Sequence, residues 1–584
     1  MAARESLIII SSCDKSAPRV RRFQVRYIVF LAIVLALLPN GSAQAATSAF
    51  VSPELLNTHA IFAPSCSKII YSSNKDGPIR PFVIDMSDAK RPQVSATRIT
   101  GQRSFIAQSL APDCRTLALV SDQGGAGVFA VFLYDLKLKQ LRELSSTTGP
   151  DEGDPVFAPS GQLLAYLSGA RLALFDYAQS KPISVPSSAS RFRSVAWADD
   201  GRSVFMEDER FDIWQYDIQP QQFRRIWRAP KEGFFRRMLS EKQGHLLFTS
   251  DHESSFRQIY SLDLKSGDTK RIYPSDHDQF SPLALGNKEY TFRSDFDENF
   301  IAFKLAGGES QARSPLTGVT YDFSLDFGPP LLFYASDEHP LGFFWFEGKD
   351  LKPLLTSRVN FHQPPAIPIK NSRGMTNFLY LPGKEPKALL IWLHGGPHEQ
   401  VSPRYDLYFD FLLHHDIAVY AINYPGSTGI GSDYSLSNLS DDAQAIPIQV
   451  HAVQEDIREL DRVRPIHVPR IIVGVSYGSI VAHRVAAANP EFQNLIDFSG
   501  IADLTTVPEP ANVPSVLFIY GINDEFSRAP ARLALLDRYQ HSSRVSKLVL
   551  PDEGHYIGRR DSIDLILRAI EKFLRTPEKS AQAR

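Results

Sequence analysis

A serine in a glycine-bracketed turn is the residue of this chain best suited to covalent chemistry. The segment GVSYG occupies residues 474–478 and places Ser476 between an apolar run, RIIV, and a helical run, SIVAHRVAAA. This context, a strand, a sharp turn and a helix, is typical of a nucleophile elbow. Gly474 and Gly478 fit such a turn, because a side chain there would collide with neighbouring backbone. The sequence therefore predicts Ser476 as a nucleophile.

A serine hydroxyl needs a base to accept its proton and a carboxylate to orient that base. Asp524 comes directly after the apolar run SVLFIYG, and His555 follows the run KLVL in the segment PDEGHY. Both partners come after the serine, in the order that the elbow motif requires. Asp503, after NLIDFSG, is a second candidate for the acid. We predict a triad of Ser476, Asp524 and His555.

Donors for a developing oxyanion are predicted on both sides of the nucleophile. The backbone N–H of Tyr477 follows the serine directly, and the segment HGGP at residues 394–397 follows an earlier apolar run. Gly395 and Gly396 allow that backbone to approach a substrate closely. His394 precedes the serine in the chain, so we assign it to this loop and not to the base.

The elements that must position these residues begin near residue 370. Apolar runs alternate there with helical stretches, a pattern typical of a parallel sheet covered by helices. The predicted strands are ALLIWLHG, IAVYAINY, RIIVGVS and SVLFIYG, and the predicted helices cover about residues 441–464, 478–489, 528–540 and 561–575. The sequence predicts an α/β-hydrolase catalytic domain over residues 361–584.

The region from residue 46 to residue 360 has a different pattern, a repeat of about 40 to 48 residues made of short strands and turns. Phe62, Phe157 and Trp197 recur at this period, and we interpret them as core residues, not as a binding site. About seven copies indicate an all-β propeller of about seven blades, with six or eight left open. The copies read FAPSCSKIIYSS, LAPDCRTLALVS, FAPSGQLLAYLS, WADDGRSVFMED, LSEKQGHLLFTS, LALGNKEYTFRS and LDFGPPLLFYAS.

Residues 1–45 resemble a signal peptide. Arginines precede the apolar run YIVFLAIVLALL at residues 27–38, which is shorter than the roughly 20 residues of a spanning helix, and Ala43 and Ala45 supply a cleavage site. An uncleaved anchor is the alternative. We expect an exported protein, periplasmic or secreted, that meets the membrane only during export.

Cys66 and Cys114 occupy the same position in neighbouring repeats, APSC and APDC. A disulfide requires Cα atoms about 4.4 to 6.8 Å apart, and equivalent points on adjacent units are usually farther apart. We therefore expect two free, partly buried thiols.

Composition limits the partners. The 584 residues are too many for one core, and the net charge of −2 gives no overall field for a polyanion. Nucleic acid is therefore not an expected partner. No cluster of His, Cys and carboxylates has metal-ligand spacing, so we expect no metal or organic cofactor.

Five segments resemble the prolyl oligopeptidase family of serine peptidases, more its acylaminoacyl-peptidase-like and dipeptidyl-peptidase-like branches than prolyl oligopeptidase itself. The resemblance covers both regions, since that family pairs a β-propeller with a hydrolase domain. Pro425, Ser479 and Tyr520 depart from the usual pattern, as does a short segment before Asp524. The five segments are HGGPH (394–398), NYPGSTGIG (423–431), GVSYGS (474–479), YGINDEF (520–526) and DEGHY (552–556).

The resemblance implies cleavage of short peptides through an acyl-enzyme, with the propeller restricting access and with the triad and oxyanion residues as assigned above. An esterase or other acyl hydrolase on the same triad is one alternative. A noncatalytic protein in which the propeller binds a partner is another. The residue preference, the choice between endo and exo cleavage, and the oligomeric state stay open.

Overall fold

The computed structural model describes most of the chain beyond residue 55. The predicted leader, residues 1–45, and the predicted domain boundary at residue 360 lie outside the described residues. Those described are residues 56–122, 129–144, 153–230, 240–272, 274, 278–285, 288–294, 299–305, 308–313, 318–324, 327, 329–347, 350–356, 363–436, 442–501, 515–526, 534 and 545–575.

The N-terminal region forms four-stranded antiparallel sheets, each built from four consecutive strands. The described residues contain seven such sheets, in agreement with the predicted propeller of about seven blades. Blades 1 to 4 comprise β1 (Leu56–Ala63), β2 (Lys68–Ser73), β3 (Arg80–Asp85), β4 (Gln93–Ala96); β5 (Ile106–Leu110), β6 (Thr116–Asp122), β7 (Phe129–Asp135), β8 (Gln140–Glu143); β9 (Gly153–Phe157), β10 (Leu163–Ser168), β11 (Arg171–Asp176), β12 (Lys181–Ile183); β13 (Phe192–Trp197), β14 (Ser203–Asp208), β15 (Ile213–Asp217) and β16 (Gln222–Trp227).

The remaining three blades bring the chain back to its first blade. The first strands of most neighbouring blades contact one another, as β1 and β5 do, and β25 (Val319–Ser324) contacts β1. The ring thus closes without exchange of a strand. Blades 5 to 7 comprise β17 (Ser240–Lys242), β18 (His245–Ser250), β19 (Gln258–Asp263), β20 (Thr269–Ile272); β21 (Gln279–Leu285), β22 (Lys288–Ser294), β23 (Asn299–Leu305), β24 (Gly308–Arg313); β25 (Val319–Ser324), β26 (Leu331–Ala335), β27 (Gly342–Glu347) and β28 (Asp350–Thr356).

Apolar side chains between the blades hold this ring together. A single cluster contains Ile69 and Tyr71 of blade 1 together with Phe333 and Phe343 of blade 7. Clusters of the same kind join blades 1 and 2, 2 and 3, 3 and 4, and 4 and 5. A blade that cannot bury both of its faces alone buries them on its neighbours.

The aromatic residues that recur at the repeat period belong to this packing, as predicted. Phe157 and Trp197 are both 7% exposed. Phe62 is partly buried and meets Phe343 edge to face, with ring centroids 6.0 Å apart.

The prediction of free thiols is wrong, because Cys66 and Cys114 form a disulfide with Cα atoms 5.3 Å apart. Cys66 lies in the turn after β1, and Cys114 lies in the turn after β5. These strands are the first of their blades and contact each other. Equivalent turns at this inner position are therefore close, whereas the estimate from the sequence used a spacing between whole units.

The C-terminal region contains one eight-stranded sheet between two layers of helices. Five neighbouring strand pairs, from β32–β31 to β35–β36, are parallel, whereas β29 and β30 pair antiparallel at one edge. The strand order is β29-β30-β32-β31-β33-β34-β35-β36. The strands are β29 (Ile367–Lys370), β30 (Thr376–Tyr380), β31 (Ala388–Leu393), β32 (Ile417–Ile422), β33 (Arg470–Val475), β34 (Phe492–Phe498), β35 (Ser515–Gly521) and β36 (Val545–Leu550).

Helices cover both faces of this sheet. The side chains of α1 and α5 share a core with one face, and those of α3 and α4 share a core with the other. The helix predicted at 528–540 lies almost wholly outside the described residues, and the other three predicted helices are present. Among the described residues, no helix is both long and apolar enough to cross a bilayer. The helices are α1 (Leu407–His414), α2 (Ser432–Leu436), α3 (Asp442–Val463), α4 (Gly478–Ala488) and α5 (Arg560–Arg575).

Candidate active site

The three side chains predicted as a triad lie in a hydrogen-bonded row. The Oγ atom of Ser476 is 2.8 Å from Nε2 of His555, and Nδ1 of His555 is 3.1 Å from Oδ2 of Asp524. Each residue follows a different parallel strand, β33, β35 and β36, so all three stand at the carboxyl edge of the sheet. The competing acid, Asp503, lies outside the described residues. This row can carry a proton away from the serine hydroxyl.

The turn that holds Ser476 is as tight as the motif predicts. Ser476 has a φ of 50°, a conformation that a residue other than glycine adopts only where its surroundings impose it. Its N–H donates to the carbonyl of Phe498 at 2.9 Å. A Cβ atom on Gly474 would stand 2.4 Å from Cα of Ser479, and one on Gly478 would stand 2.4 Å from the carbonyl oxygen of His394. Neither glycine can therefore be replaced without displacing the elbow.

Asp524 is fixed by the backbone around it. Its side chain is fully buried, and Oδ1 accepts a hydrogen bond from the N–H of Phe526 at 3.0 Å. The N–H of Asn523 donates to the carbonyl of Glu553 at 2.9 Å. The loop that carries the acid is thus bonded to the loop that carries His555, which keeps the carboxylate and the imidazole in register.

The charge around His555 favours its protonated form. Burial by itself lowers the pKa of His555, but the charge and hydrogen bond of Asp524 oppose it, and Glu399 and Glu525 add to the effect of Asp524. The net result is a pKa raised above 6.5. A base that gains a proton readily suits the transfer from Ser476.

The segments predicted to supply oxyanion donors flank the nucleophile. A Cβ atom on Gly395 would lie 3.1 Å from Cβ and 3.8 Å from Oγ of Ser476, so the loop of Gly395 and Gly396 passes directly beside the serine. Tyr477 is the N-cap of α4, the end of a helix at which backbone N–H groups have no partner within the helix. That these segments supply the donors for a tetrahedral oxyanion stays a prediction.

The ring of His394 contacts the segment that follows β32. Its ring stacks on Tyr424 with centroids 4.6 Å apart, and its Nε2 lies 2.8 Å from Oγ of Ser427. Burial lowers the pKa of His394 to about 4, which keeps its ring neutral. The assignment of His394 to the oxyanion loop, and not to the base, stays a prediction.

Contacts with the propeller hold the loop after His555, which the sequence analysis did not predict. Asn74 of blade 1 donates through Nδ2 to the carbonyl of Gly558 at 2.9 Å. Arg559 donates to the carbonyl of Gln102 at 3.1 Å and to its side-chain oxygen at 3.0 Å. Glu553, whose pKa burial raises to about 7, accepts from the N–H of Arg559 at 2.9 Å. No local motif marks Asn74 or Gln102, because their role depends on how the domains meet.

The described residues include no group of three or more His, Cys, Asp or Glu side chains arranged to hold a metal ion.

Comparison with protein families identifies the C-terminal domain. Residues 390–561 match the model of the alpha/beta hydrolase family. The chain carries an alpha/beta hydrolase domain. The match contains Ser476, Asp524 and His555 and begins within β31, the strand before the predicted oxyanion loop.

Two curated relatives are similar to this chain. The acylamino-acid-releasing enzyme of Arabidopsis thaliana is 23% identical over 357 residues, which cover 55% of this chain and 43% of that protein. Dipeptidyl aminopeptidase BIII of Pseudoxanthomonas mexicana is 25% identical over 211 residues, which cover 32% of this chain and 29% of that protein. The matched stretches thus span less than half the length of each relative.

Most of the chain shares its fold with a solved peptidase. Acylaminoacyl peptidase of Pyrococcus horikoshii superposes with a TM-score of 0.67 at 12% identity, over 89% of this chain and 95% of that chain. These matches confirm the predicted resemblance to the prolyl oligopeptidase family and the predicted architecture of a propeller with a hydrolase domain. The relatives that carry the resemblance are enzymes.

Proposed function

We propose that this chain is a serine peptidase that cleaves short peptides through an acyl-enzyme on Ser476. The observation that carries the proposal is the hydrogen-bonded row of Ser476, His555 and Asp524 with the Gly395 loop beside the serine. The names of the similar relatives, an acylamino-acid-releasing enzyme and a dipeptidyl aminopeptidase, support a peptide bond as the target.

In the proposed reaction, Nε2 of His555 takes the hydroxyl proton of Ser476 as Oγ attacks the carbonyl carbon of the peptide bond. The N–H of Tyr477 and the loop of Gly395 and Gly396 stabilise the oxyanion. The imidazolium then gives its proton to the leaving amine, and an acyl-enzyme remains. A water molecule, deprotonated by the same histidine, releases the acyl group and restores the serine.

The position of the propeller supports a preference for short peptides. Loops of blades 1, 5 and 7 are hydrogen-bonded to the hydrolase domain at the edge where its parallel strands end. Ser255 donates to Asp433 at 2.7 Å, and the N–H of Tyr405 donates to the carbonyl of Ser336 at 2.8 Å. We propose that these contacts restrict access to Ser476, so that short peptides reach it more readily than folded proteins do.

Export is part of the proposal. The basic and apolar leader in residues 1–45 supports it, and so does the bond between Cys66 and Cys114, since disulfides persist mainly in oxidising compartments. We propose that the mature protein works in the periplasm or outside the cell.

The test is labelling of the purified protein with a fluorophosphonate probe, followed by peptide mapping and by assays on aminoacyl amides, dipeptidyl amides and simple esters. We expect label on Ser476 and turnover of amides. Ser476→Ala should lose the label. Ser479→Ala is the matched control, because the side chain of Ser479 is also buried beside the elbow. This substitution should leave the labelling of Ser476 intact.

The alternatives give different results in the same assays. Ester turnover without amide turnover would replace the peptidase by an acyl hydrolase. Folded protein that takes no label and turns over no substrate would refute the enzyme and leave the propeller as the functional part. Cleavage of a native globular protein as fast as a peptide of about ten residues would refute the size preference.

A further inference from the structure

The two halves of the predicted oxyanion hole come from distant parts of the chain, and something must hold them in register. One half is the N–H of Tyr477, and the other is the loop of Gly395 and Gly396. A displacement of about 1 Å in such a site can cost about 100-fold in rate. The groups that fix this loop relative to Tyr477 should therefore influence the rate of the proposed reaction.

A second loop, residues 424–428, cradles the oxyanion loop. The hydroxyl of Tyr424 donates to the carbonyl of His394 at 2.7 Å. The N–H of Thr428 donates to the carbonyl of Glu399 at 3.0 Å. Nδ1 of His398 lies 3.1 Å from the carbonyl oxygen of Gly426. The oxyanion loop takes its position from this cradle loop at its beginning and at its end.

The histidines in these contacts are neutral. Burial lowers the pKa of His394 to about 4 and that of His398 to about 3. Their rings therefore do not change charge near neutral pH, so the contacts of these two histidines with the cradle loop do not change with protonation there.

One side chain connects the cradle to the nucleophile turn. Gln449, on α3, is fully buried. Its Nε2 donates to the carbonyl of Pro425 at 2.9 Å, and its Oε1 accepts from the hydroxyl of Tyr477 at 2.9 Å. Gly426 passes so close that a Cβ atom there would lie 3.2 Å from Nε2 of Gln449. A single amide thus bonds the cradle loop, which contacts the oxyanion loop, and Tyr477, whose backbone carries the other predicted donor.

We propose that Gln449 is a positioning residue of the oxyanion hole, whose side-chain amide holds the cradle loop of residues 424–428 against Tyr477. The inference rests on the proposed function of Ser476. It needs an amide, because one end of the side chain must donate and the other must accept. Glutamate at this position would keep the acceptor and lose the donor, and leucine would lose both.

The test compares Gln449→Glu, Gln449→Leu and Tyr477→Phe, with rates normalised to active sites titrated by a fluorophosphonate. We expect kcat to fall about 10- to 100-fold in each variant with KM changed less than about two-fold, a part of the loss seen when an oxyanion donor is removed. Gln449→Leu combined with Tyr477→Phe should be no slower than Gln449→Leu alone, because both changes break the same bridge.

Tyr420→Phe is the matched control. Tyr420 is buried like Tyr477 and lies in the same core. Its hydroxyl accepts a hydrogen bond from Nδ2 of Asn377 at 3.1 Å and is not part of the bridge from Tyr477 through Gln449 to Pro425. It should lose stability by a similar amount and keep kcat. A further readout is the ratio of rates on an ester and its thionoester, which contains a poorer hydrogen-bond acceptor. This ratio should fall in Gln449→Glu and stay constant in Tyr420→Phe.

Unchanged kcat in all three variants, or an equal fall of kcat in Tyr420→Phe, would overturn the role of Gln449 while a reactive wild-type protein kept the proposed function. Additive losses in the double variant would also overturn it. A wild-type protein that is folded but unreactive would overturn the proposed function and this inference together.

Discussion

The propeller and the hydrolase domain use their strands in opposite ways. Each blade is made of four consecutive strands, and its side chains pack on the next blade. The hydrolase sheet instead places β31 between β32 and β33, so distant segments meet at one edge. Ser476, Asp524 and His555 reach the site from three such segments. Repetition in this chain thus builds a ring of similar units, whereas the non-local order of the sheet brings side chains from distant segments together.

The largest effect should come from the nucleophile. Ser476→Ala removes the attacking atom, so we expect kcat to fall by about 10⁶, as for other triads of this kind, with no change in the fold. Amide turnover and circular dichroism measure the two quantities. A residual activity within about tenfold of the wild-type protein would contradict the proposed role of Ser476.

A core substitution in the propeller should do the reverse and change stability, not chemistry. Phe333 is fully buried and stacks on Phe343, with ring centroids 4.5 Å apart, where blade 7 meets blade 1. Phe333→Ala should reduce the free energy of unfolding by about 3 to 5 kcal/mol. Denaturant unfolding measures this loss, and kcat at 25 °C should stay near that of the wild-type protein.

Leu141→Ala is the control for this substitution, because Leu141 is 38% exposed on the outer strand of blade 2. It should change stability by less than about 0.5 kcal/mol. If Phe333→Ala abolished kcat in protein that is still folded, the propeller would take part in the chemistry and the comparison would fail.

The disulfide gives a smaller stability effect of the same kind. It closes a separation of 48 residues between Cys66 and Cys114, and such links contribute about 2 to 4 kcal/mol. Replacing both cysteines by serine should lower the free energy of unfolding by about this amount and leave kcat unchanged. Thiol titration of the unreduced, unfolded mature protein is the direct check, since two reactive thiols would contradict the bond.

Local patterns predicted much of this structure, and non-local geometry limited the rest. The elbow around Ser476 and the positions of Asp524 and His555 after strands are local features, so the sequence contains them directly. Cys66 and Cys114 were misjudged because their distance depends on the radius at which the first strands of the blades stand. Gln449 lies within an ordinary amphipathic helix, and only the packing of three segments shows its contacts. Glu399 could have been noticed from the sequence alone, because its carboxylate comes only three residues after Gly396 in the predicted oxyanion loop.

The smallest expected effect is a shift in pH dependence caused by Glu399. Its carboxylate, together with Asp524 and Glu525, raises the pKa of His555. Only the neutral imidazole can accept the proton of Ser476, so kcat/KM should rise with pH through a pKa above 6.5. Removing a negative charge favours the neutral form. Glu399→Gln should therefore move this acid limb to lower pH and make the enzyme relatively more active in mild acid.

Glu525→Gln is the matched control, because Glu525 contributes less than Glu399 to the pKa of His555. Its acid limb should move in the same direction by a smaller amount, and Phe333→Ala should leave the limb in place. An acid limb that stays fixed in Glu399→Gln would show that the charge of Glu399 does not influence the pKa of His555. A limb that moves equally in Phe333→Ala would mean that propeller packing, and not local charge, sets the protonation of His555.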